Sequence, residues 1–390
     1  MWKSLASNFL TLTIILLVAL SGAIYWGQRM WVTPGPLADA VCVSVPRGAT
    51  LWTVSDRLEA DGAIADARMF RLGTEYMDRA DKLKAGNFLV PPGASMDDIS
   101  VLLTASGQST CGAEVNYRIG VNLAELQLRE IDPATGRYEV TEEFLPEAPK
   151  PAAYQRFLDQ GFGSYRVTVA EGVTAWQIWS SLAKFDVLTG EVEKIPAEGS
   201  LSPGSYDVAP GDDRNALIAQ MTDRQARVLA EAWAARAEGL PFASPEEALT
   251  LASIVEKETG IAEERPMVAS VFLNRLEQGM RLQTDPTVIY GITEGKGILG
   301  RGLRASELQR YTPYNTYAID GLPPGPIANP GPDSIRAVLN PAQSEFLYFV
   351  ADGSGGHAFA TTLAEHNANV RRWREIERTR AQTPTPTPGQ

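Results

Sequence analysis

The sequence SPEEALTLASIVEKETGIAEERPMVASVFLNRLEQGMRLQTDPTVIY, residues 244–290, predicts two helices and a following loop. Ser244 is a favoured N-cap residue, and Glu247 three positions later completes a capping-box pattern. Pro245 suits the first helical position, because the missing N–H of proline has no intrahelical partner there. Gly260 marks the expected end of the first helix.

Two glutamates of this first helix differ in the direction they face. At about 100° per residue, Glu258 shares the apolar face with Val255, whereas Glu256 points roughly 150° away from the centre of that face. Burial and the negative end of the helix dipole both disfavour a charged carboxylate. We therefore expect Glu258 to stay protonated near neutral pH, as a general acid requires. The alternative is a structural glutamate paired with Arg265 or Arg275.

The second helix begins at Pro266 and ends at Gly279. After it, the segment RLQTDPTVIYG predicts a loop that contains Gln283, Thr284, Asp285 and Tyr290, with the Asp-Pro pair marking a turn.

A later segment, residues 311–334 (YTPYNTYAIDGLPPGPIANPGPDS), is rich in Tyr, Asn, Pro and Gly and has no periodic pattern. Its length favours a functional loop. Tyrosine rings can stack on sugar faces, and asparagine can bind hydroxyl groups. Next, residues 346–350 predict a buried strand, residues 357–360 predict a second strand, and a helix follows.

The composition excludes several classes of function. The chain has 390 residues, 44% hydrophobic and 21% charged, which is ordinary for a globular protein of two or three domains. A net charge of −12 argues against nucleic-acid partners and against a polybasic membrane-surface mode. The two cysteines, Cys42 and Cys111, exclude a disulfide-dense scaffold and leave one bridge open. The two histidines are too few for a multi-histidine metal site.

The N-terminal segment predicts a membrane anchor. Residues 4–28 carry no charge, and residues 9–26 are nearly all apolar, about the length that crosses roughly 30 Å of hydrocarbon. Lys3 before this run favours a cytoplasmic N-terminus. We expect a single-pass protein of the cell inner (plasma) membrane with its body periplasmic or otherwise extracytoplasmic. A cleavable signal peptide is the alternative, with Ser21 and Ala23 as small residues near the cleavage site.

One sequence pattern occurs twice. Residues 43–58 (VSVPRGATLWTVSDRL) match residues 167–182 (VTVAEGVTAWQIWSSL), and residues 83–103 match residues 201–221. Each copy predicts a strand–helix–helix–strand unit, so one supersecondary unit is used twice. The G-x-T-x-W opening of the first helix resembles the LysM module, which binds peptidoglycan or chitin. The alternative is that Trp52 and Trp176 are core aromatics.

We therefore expect an α+β fold with an N-terminal transmembrane helix, LysM-like subdomains and a C-terminal α+β catalytic domain. The expected divisions are a cytoplasmic N-terminus and anchor (1–32), a first LysM-like unit (41–105), a β-rich insertion (106–162), a second LysM-like unit (163–225), a catalytic domain (226–376) and a disordered tail (377–390).

Several sequence blocks resemble the signature of the endolytic murein transglycosylase (MltG) family. These blocks are ASIVEKET, VFLNRL, MRLQTDPTVIYG, YNTY, GLPPGPIANPG and LYFVADGSGGHAF, and EGSLSPGSY at residues 198–206 is similar to the family's EGyLFPDTY, with departures at Ser202, Gly204 and Ser205. The resemblance covers roughly residues 165–371. It implies a membrane-anchored lytic transglycosylase domain preceded by a LysM-like subdomain, and it places the catalytic glutamate on Glu258. The β-rich insertion and the acidic net charge are outside the shared pattern.

The chemistry implied by the resemblance needs one carboxyl group, whereas ordinary glycoside hydrolysis uses two. Protonated Glu258 would donate to the β-1,4 oxygen between MurNAc and GlcNAc within nascent glycan strands. Its carboxylate would then accept a proton from the MurNAc 6-hydroxyl, which closes on C1 as a 1,6-anhydro end and terminates strand elongation. No cofactor and no metal are expected. The implied partners are peptidoglycan glycan strands, the membrane and peptidoglycan synthases.

The remaining candidate site residues surround Glu258 in this interpretation. Thr259 is placed to bind Glu258 or the sugar, and Asp285 is expected to position the substrate or to be structural. The residues expected to line the glycan cleft are Gln283, Tyr290, Tyr314, Asn315, Tyr317 and His357. Two alternatives stay open: a hydrolytic muramidase that uses Glu258 with Asp285, and a non-catalytic glycan-binding scaffold of the cell-wall machinery.

Overall fold

The computed structural model describes residues 2–46, 48–105, 111–132, 135–160 and 163–382. It has a mixed α+β architecture that begins with an apolar helix, which confirms the predicted fold class. A LysM-like character of either repeat copy stays a prediction, and so do the expected domain boundaries.

Helices and short strands alternate along the described parts of the chain. The helices are α1 (Trp2–Val32), α2 (Leu51–Ala60), α3 (Ala67–Tyr76), α4 (Met96–Thr104), α5 (Ala152–Gln160), α6 (Ala175–Leu182), α7 (Arg214–Ala234), α8 (Pro245–Glu258), α9 (Arg265–Glu277), α10 (Asp285–Thr293), α11 (Ala305–Gln309), α12 (Pro332–Leu339) and α13 (Leu363–Gln382). The strands are β1 (Val41–Val45), β2 (Gly86–Val90), β3 (Ala113–Ile119), β4 (Ala124–Asp132), β5 (Arg137–Phe144), β6 (Ser164–Val169), β7 (Gly204–Val208), β8 (Tyr348–Ala351) and β9 (His357–Ala360).

The described strands form three sheets. β1 pairs antiparallel with β2, and β8 pairs antiparallel with β9. The largest sheet has the order β5-β4-β3-β6-β7. Strands β3–β5 of the expected insertion and strands β6 and β7 of the second repeat copy therefore belong to the same sheet. Two compact units divide the chain: Met1–Asn116 with Leu126–Tyr165, and Tyr117–Glu125 with Arg166–Gln390.

The first unit includes the C-terminal end of α1. The apolar part of this helix, Leu10–Val32, has 23 residues, about 34 Å at 1.5 Å per residue, which is long enough to cross a bilayer. This helix is consistent with a single-pass anchor, and a signal sequence would show the same composition. Trp31 in its last turn is buried, with its ring 6.0 Å from that of Phe70. A side chain at Gly73 would collide with the Trp31 ring, so the close packing requires glycine there.

The two repeat copies share their helix starts. Thr50 and Thr174 each cap the following helix in a reciprocal capping box. The glycines two residues earlier, Gly48 and Gly172, have φ of 78° and 76°, which a residue with a side chain rarely adopts. Trp52 on α2 is 64% exposed. The alternative that Trp52 is a core aromatic is therefore wrong.

The copies differ after the first helix, and the expected strand–helix–helix–strand order is wrong for the second copy. In the first copy α3 lies between α2 and β2, whereas residues 183–203, all of them described, form no helix before β7. Gly190, Pro196 and Gly199 interrupt this stretch, and glycine and proline both disfavour helix interiors.

The second unit is built around α8. Every residue from Ala248 to Val255 is buried, because α7, α9, α10 and α12 all pack against α8. The expectation of one apolar face was therefore too narrow. The Ser244 side chain caps α8 as predicted, but the Glu247 carboxylate accepts a bond from the Ala243 N–H at 2.6 Å, which displaces the capping box by one residue.

The ends of two other segments also differ from expectation. Thr259, which has an extended backbone, is the C-cap residue of α8. Gly260 does not have the positive φ that a helix-ending glycine usually adopts. α13 continues through residues 377–382 of the expected disordered tail, and residues 383–390 lie outside the described part of the chain.

The first unit contains a disulfide, and removing it should destabilise that unit. Cys42 in β1 is bonded to Cys111, 69 residues later. In the loop-entropy model, closing such a loop in the unfolded chain contributes about 4 kcal/mol. We expect Cys42→Ser with Cys111→Ser to lower the urea midpoint of the first unit, and a reductant to do the same to the natural chain. The reductant should leave the double variant unchanged, and an unchanged midpoint in the reduced natural chain would contradict this account.

Candidate active site

Three consecutive charged residues, Glu256, Lys257 and Glu258, form the last turn of α8. Successive helical residues point about 100° apart, and each of these three side chains has partners on a different element.

Glu256 holds the start of α12. Its carboxylate accepts bonds from the Gly331 N–H at 3.0 Å and the Ser334 hydroxyl at 2.8 Å, and Arg265 lies 3.6 Å away. Gly331 at the N-cap position has no side chain of its own to bond the orphan N–H groups of α12. The side chain of Glu256 is only 6% exposed. It points away from Glu258, as predicted, but into a buried structural contact rather than into solvent.

Lys257 binds the turn between β6 and α6. Its ammonium donates to the Gly172 carbonyl at 3.2 Å. Burial lowers the pKa of Lys257, and the negative charges of Glu256 and Glu198 oppose that shift.

Glu258 receives a hydrogen bond from the Thr284 hydroxyl. Thr284 is buried at the N-cap position of α10, and its hydroxyl turns to Glu258 instead of capping the α10 backbone. The Thr284 N–H donates to the Thr316 hydroxyl at 3.0 Å, which fixes the position of Thr284.

Burial raises the pKa of the Glu258 carboxyl above its ordinary value. The Thr284 hydrogen bond lowers this pKa, the nearby negative charge of Asp285 raises it, and the positive charges of His357 and Arg275 lower it. The net direction favours a protonated acid, because burial penalises the charged carboxylate most.

The structural alternative predicted an arginine partner for Glu258. Arg265 instead pairs with Glu171 at 3.2 Å and with Glu256. Arg275 donates to backbone carbonyls, among them Leu347 at 2.6 Å and Leu282 at 2.7 Å. Neither arginine forms a salt bridge with Glu258 in the part of the chain that is described.

The segment after α9 is helical where a loop was expected. The Asp285-Pro286 pair starts α10, because proline fits the first turn of a helix, and Tyr290 therefore lies on that helix. Asp285 is exposed and accepts a bond from the Tyr317 hydroxyl at 2.7 Å. Gln283, just before α10, is also exposed and has φ of 50°.

Two tyrosines of the candidate site lie together. The rings of Tyr290 and Tyr314 are 4.8 Å apart and tilted by 54°. Both side chains are half-buried, so part of each ring remains accessible to a ligand. The Tyr290 hydroxyl donates to Glu198 at 3.2 Å.

His357 is held by Glu264, which the sequence analysis did not select. One Glu264 oxygen lies 2.7 Å from Nδ1 of the imidazole, and the other accepts the His357 N–H at 2.9 Å. The edge of the ring packs on Phe349, with centroids 5.2 Å apart. With Nδ1 engaged, Nε2 is the ring nitrogen left for further bonds.

Two predicted site residues are buried and bond to neighbouring protein groups. Thr259 is buried and donates to Glu264 at 3.4 Å rather than to Glu258. Asn315 is 1% exposed, and its amide donates to the carbonyls of Glu307, Leu308 and Arg310, which holds the turn after α11.

Sequence reasoning missed the contacts of Thr284, Glu198 and Glu264. Thr284 and Glu198 lie inside sequence blocks that resemble the family signature. Their position as polar residues within those blocks could have identified them as candidates. Glu264 lies outside the blocks, and nothing in its local pattern distinguishes it from Glu263.

The region that contains this site matches a known protein family. Residues 122–372 match the YceG-like family, and the chain belongs to that family. Among similar proteins, the endolytic murein transglycosylase of Bacillus subtilis is 28% identical over 327 residues, covering 84% of this chain and 83% of that protein. The protein of the same name from Streptococcus pneumoniae strain D39 is 27% identical over 376 residues, covering 92% of this chain. The chain spans only 63% of the length of that pneumococcal protein.

A solved structure is also similar. A YceG-like protein of Listeria monocytogenes is 25% identical, with a TM-score of 0.46, and the match covers 85% of this chain and 98% of that one.

Replacing Glu256 should reduce stability. Glu256→Gln removes a charged acceptor from the start of α12 and leaves Arg265 with weaker compensation, so we expect the free energy of unfolding to fall by about 1–3 kcal/mol. Urea unfolding of the second unit measures this change. Glu263→Gln, at an exposed glutamate just before α9, is the matched control and should change little. Equal stability of the two variants would show that Glu256 does not support α12.

Proposed function

We propose that this protein is a peptidoglycan lytic transglycosylase, a lyase that cleaves murein glycan strands internally. The observation that carries the proposal is the buried carboxyl of Glu258, which has a hydroxyl partner and a raised pKa instead of an arginine partner. The names of the Bacillus and Streptococcus relatives support the same substrate class.

The proposed reaction uses Glu258 twice. Its proton goes to the β-1,4 oxygen as the bond from that oxygen to C1 of MurNAc breaks. The 6-hydroxyl of the same MurNAc then bonds to C1 and returns its proton to the Glu258 carboxylate. The products are a free 4-hydroxyl on GlcNAc and a 1,6-anhydroMurNAc end. Water is not consumed, and the acid is regenerated.

The neighbours of Glu258 suit both halves of this reaction. Burial and the negative charge of Asp285 keep the acid protonated before the first step. The Thr284 hydroxyl and the positive charge of Arg275 stabilise the carboxylate that the first step creates. In this proposal Tyr290, Tyr314 and Tyr317 supply the aromatic surface for sugar rings, and Gln283 and Asp285 supply exposed polar groups.

A hydrolytic muramidase is the second candidate. Asp285 is close enough to Glu258 to raise its pKa, as expected for a pair of acidic residues that act together. The Tyr317 hydroxyl occupies one oxygen of Asp285 at 2.7 Å, which favours a positioning role over that of a base. A non-catalytic scaffold is less favoured, because Glu258 is neither unpartnered nor fully exposed.

We also propose that α1 anchors the protein in the cell membrane, with a cytoplasmic N-terminus, so that the enzyme acts on nascent strands beside peptidoglycan synthases. The anchor should resist alkaline carbonate extraction, and a periplasmic-type reporter fused after Gln390 should be active. Release of the protein by carbonate would indicate a cleaved signal sequence, and a reporter active only in the cytoplasm would reverse the topology.

Glu258→Gln should abolish most of the activity. The glutamine keeps the shape and can accept the Thr284 bond, but it has no transferable proton. General acid–base catalysis contributes about 10²- to 10⁴-fold, and one group serves both steps here, so we expect a loss at or above the top of that range. In the natural enzyme, activity should fall as pH rises through the raised pKa of Glu258, because the protonated form is lost.

Mass spectrometry of digested peptidoglycan measures both the rate and the product. Anhydro ends are expected, and reducing ends would favour the muramidase. Glu256→Gln is the control, since it should lower stability but keep the turnover of the folded fraction. Anhydro ends forming at the normal rate in Glu258→Gln would overturn the assignment.

A further inference from the structure

Glu198 is a partly buried carboxyl group to which the reaction above gives no role. It precedes β7, and its two oxygens bind groups from two different helices. Oε1 accepts the N–H of Ala175 at 2.8 Å, and Oε2 accepts the hydroxyl of Tyr290 at 3.2 Å. Ala175 is the first residue of α6, where a backbone N–H has no partner within the helix.

The Ala175 bond fixes the carboxyl group of Glu198. A second link between the same regions runs from the Thr174 hydroxyl to the Gly295 carbonyl at 2.6 Å. The start of α6 is thereby joined to both the middle and the end of α10.

The ring of Tyr290 has little freedom at this position. Its centroid lies 4.8 Å from that of Tyr314. A Cβ at Gly295 would meet the Tyr290 ring at 3.0 Å and Glu198 Oε2 at 3.3 Å, and Gly295 has φ of 70°. The ring therefore packs between the Gly295 backbone and Tyr314, while Glu198 determines where its hydroxyl points.

The same helix carries the partner of Glu258. Thr284 at the N-cap of α10 binds Glu258, and Tyr290 follows six residues later, about 9 Å along the axis at 1.5 Å per residue. One short helix thus fixes the spacing between Thr284, the partner of Glu258, and Tyr290.

We propose that Glu198 is a positioning residue for glycan binding, which holds Tyr290 against Tyr314 so that the two rings form one wall of the glycan site. This inference rests on the proposed function, because it takes the two tyrosines as contacts of the glycan strand.

Glycan binding should then depend on pH near neutrality. Burial raises the pKa of Glu198 to about 7, while the hydrogen bonds from Ala175, Tyr290 and the Gly199 backbone and the charge of Lys257 oppose that rise. The other titratable groups that act on this cluster are Tyr314 and Glu294, through Tyr290. The Ala175 N–H needs an acceptor, so a proton on Glu198 resides on Oε2. That oxygen then donates to the Tyr290 oxygen, so the Tyr290 proton must turn away and the charge-assisted bond that held the ring is replaced by a weaker neutral one.

The experiment compares KM and kcat across pH 5–9 on purified uncross-linked glycan strands. For Glu198→Gln we expect KM to rise about tenfold with kcat little changed, since one hydrogen bond to a charged group is lost. The ionisation near pH 7 should disappear from the KM profile. The natural enzyme should bind more weakly below pH 7, and the Glu258 ionisation should remain in the kcat profile. Glu193→Gln, at an exposed carboxyl five residues before Glu198, is the matched control and should keep the natural profile.

Tyr290→Phe is the second variant, because it keeps the ring and removes only the hydroxyl. It should raise KM to the same extent as Glu198→Gln, and the double variant should be no worse than either single variant. In NMR titration of the side-chain carboxyl, Tyr290→Phe should raise the pKa of Glu198 further.

Each remaining outcome has a defined meaning. A natural enzyme that cuts no glycan strand would overturn the proposed function. An active natural enzyme with additive losses in the double variant, or a Tyr290→Phe variant with the natural KM profile, would overturn the role of Glu198 alone.

Discussion

The last turn of α8 must keep three adjacent charged side chains away from bulk water, and the second unit is arranged to provide a partner for each. Residues 256–258 point in directions about 100° apart, so no single element can serve them all. The start of α12 binds Glu256, the Gly172 carbonyl binds Lys257, and the Thr284 hydroxyl binds Glu258. The last turn of α8 is therefore held by three segments far apart in sequence.

The buried carboxyl groups differ in how their charge is compensated. Glu256 lies beside Arg265 and bonds the N-terminal end of α12, where a negative charge is favourable. Glu258 and Glu198 have hydroxyl or backbone partners instead, and burial raises the pKa of both. The ion-paired glutamate supports the fold, and the two without an arginine partner border α10, where the candidate site lies.

Much of the local structure could be predicted from the sequence. Ser244, Pro245 and Pro266 mark helix starts, and the repeated G-x-T-x-W pattern corresponds to equivalent caps at Thr50 and Thr174. These features depend on residues a few positions apart, which a pattern can encode.

The partners of the site residues could not be predicted in the same way. Thr284 lies 26 residues from Glu258, and Tyr290 lies 92 residues from Glu198, so these contacts depend on how distant helices pack. The helical-face argument correctly separated Glu256 from Glu258 in direction, but it predicted burial for one face of α8 only and not for the opposite face. That face is buried too, because α8 is surrounded by other helices.

A single carboxyl group that first donates a proton and then accepts one needs an intermediate pKa, low enough to donate and high enough to accept. Burial alone would make Glu258 too weak an acid, and an arginine partner would make it too strong. A hydroxyl bond from Thr284 with the more distant charges of Asp285, His357 and Arg275 supplies an intermediate environment, which is the physical reason why one acidic group can serve both steps of the proposed reaction.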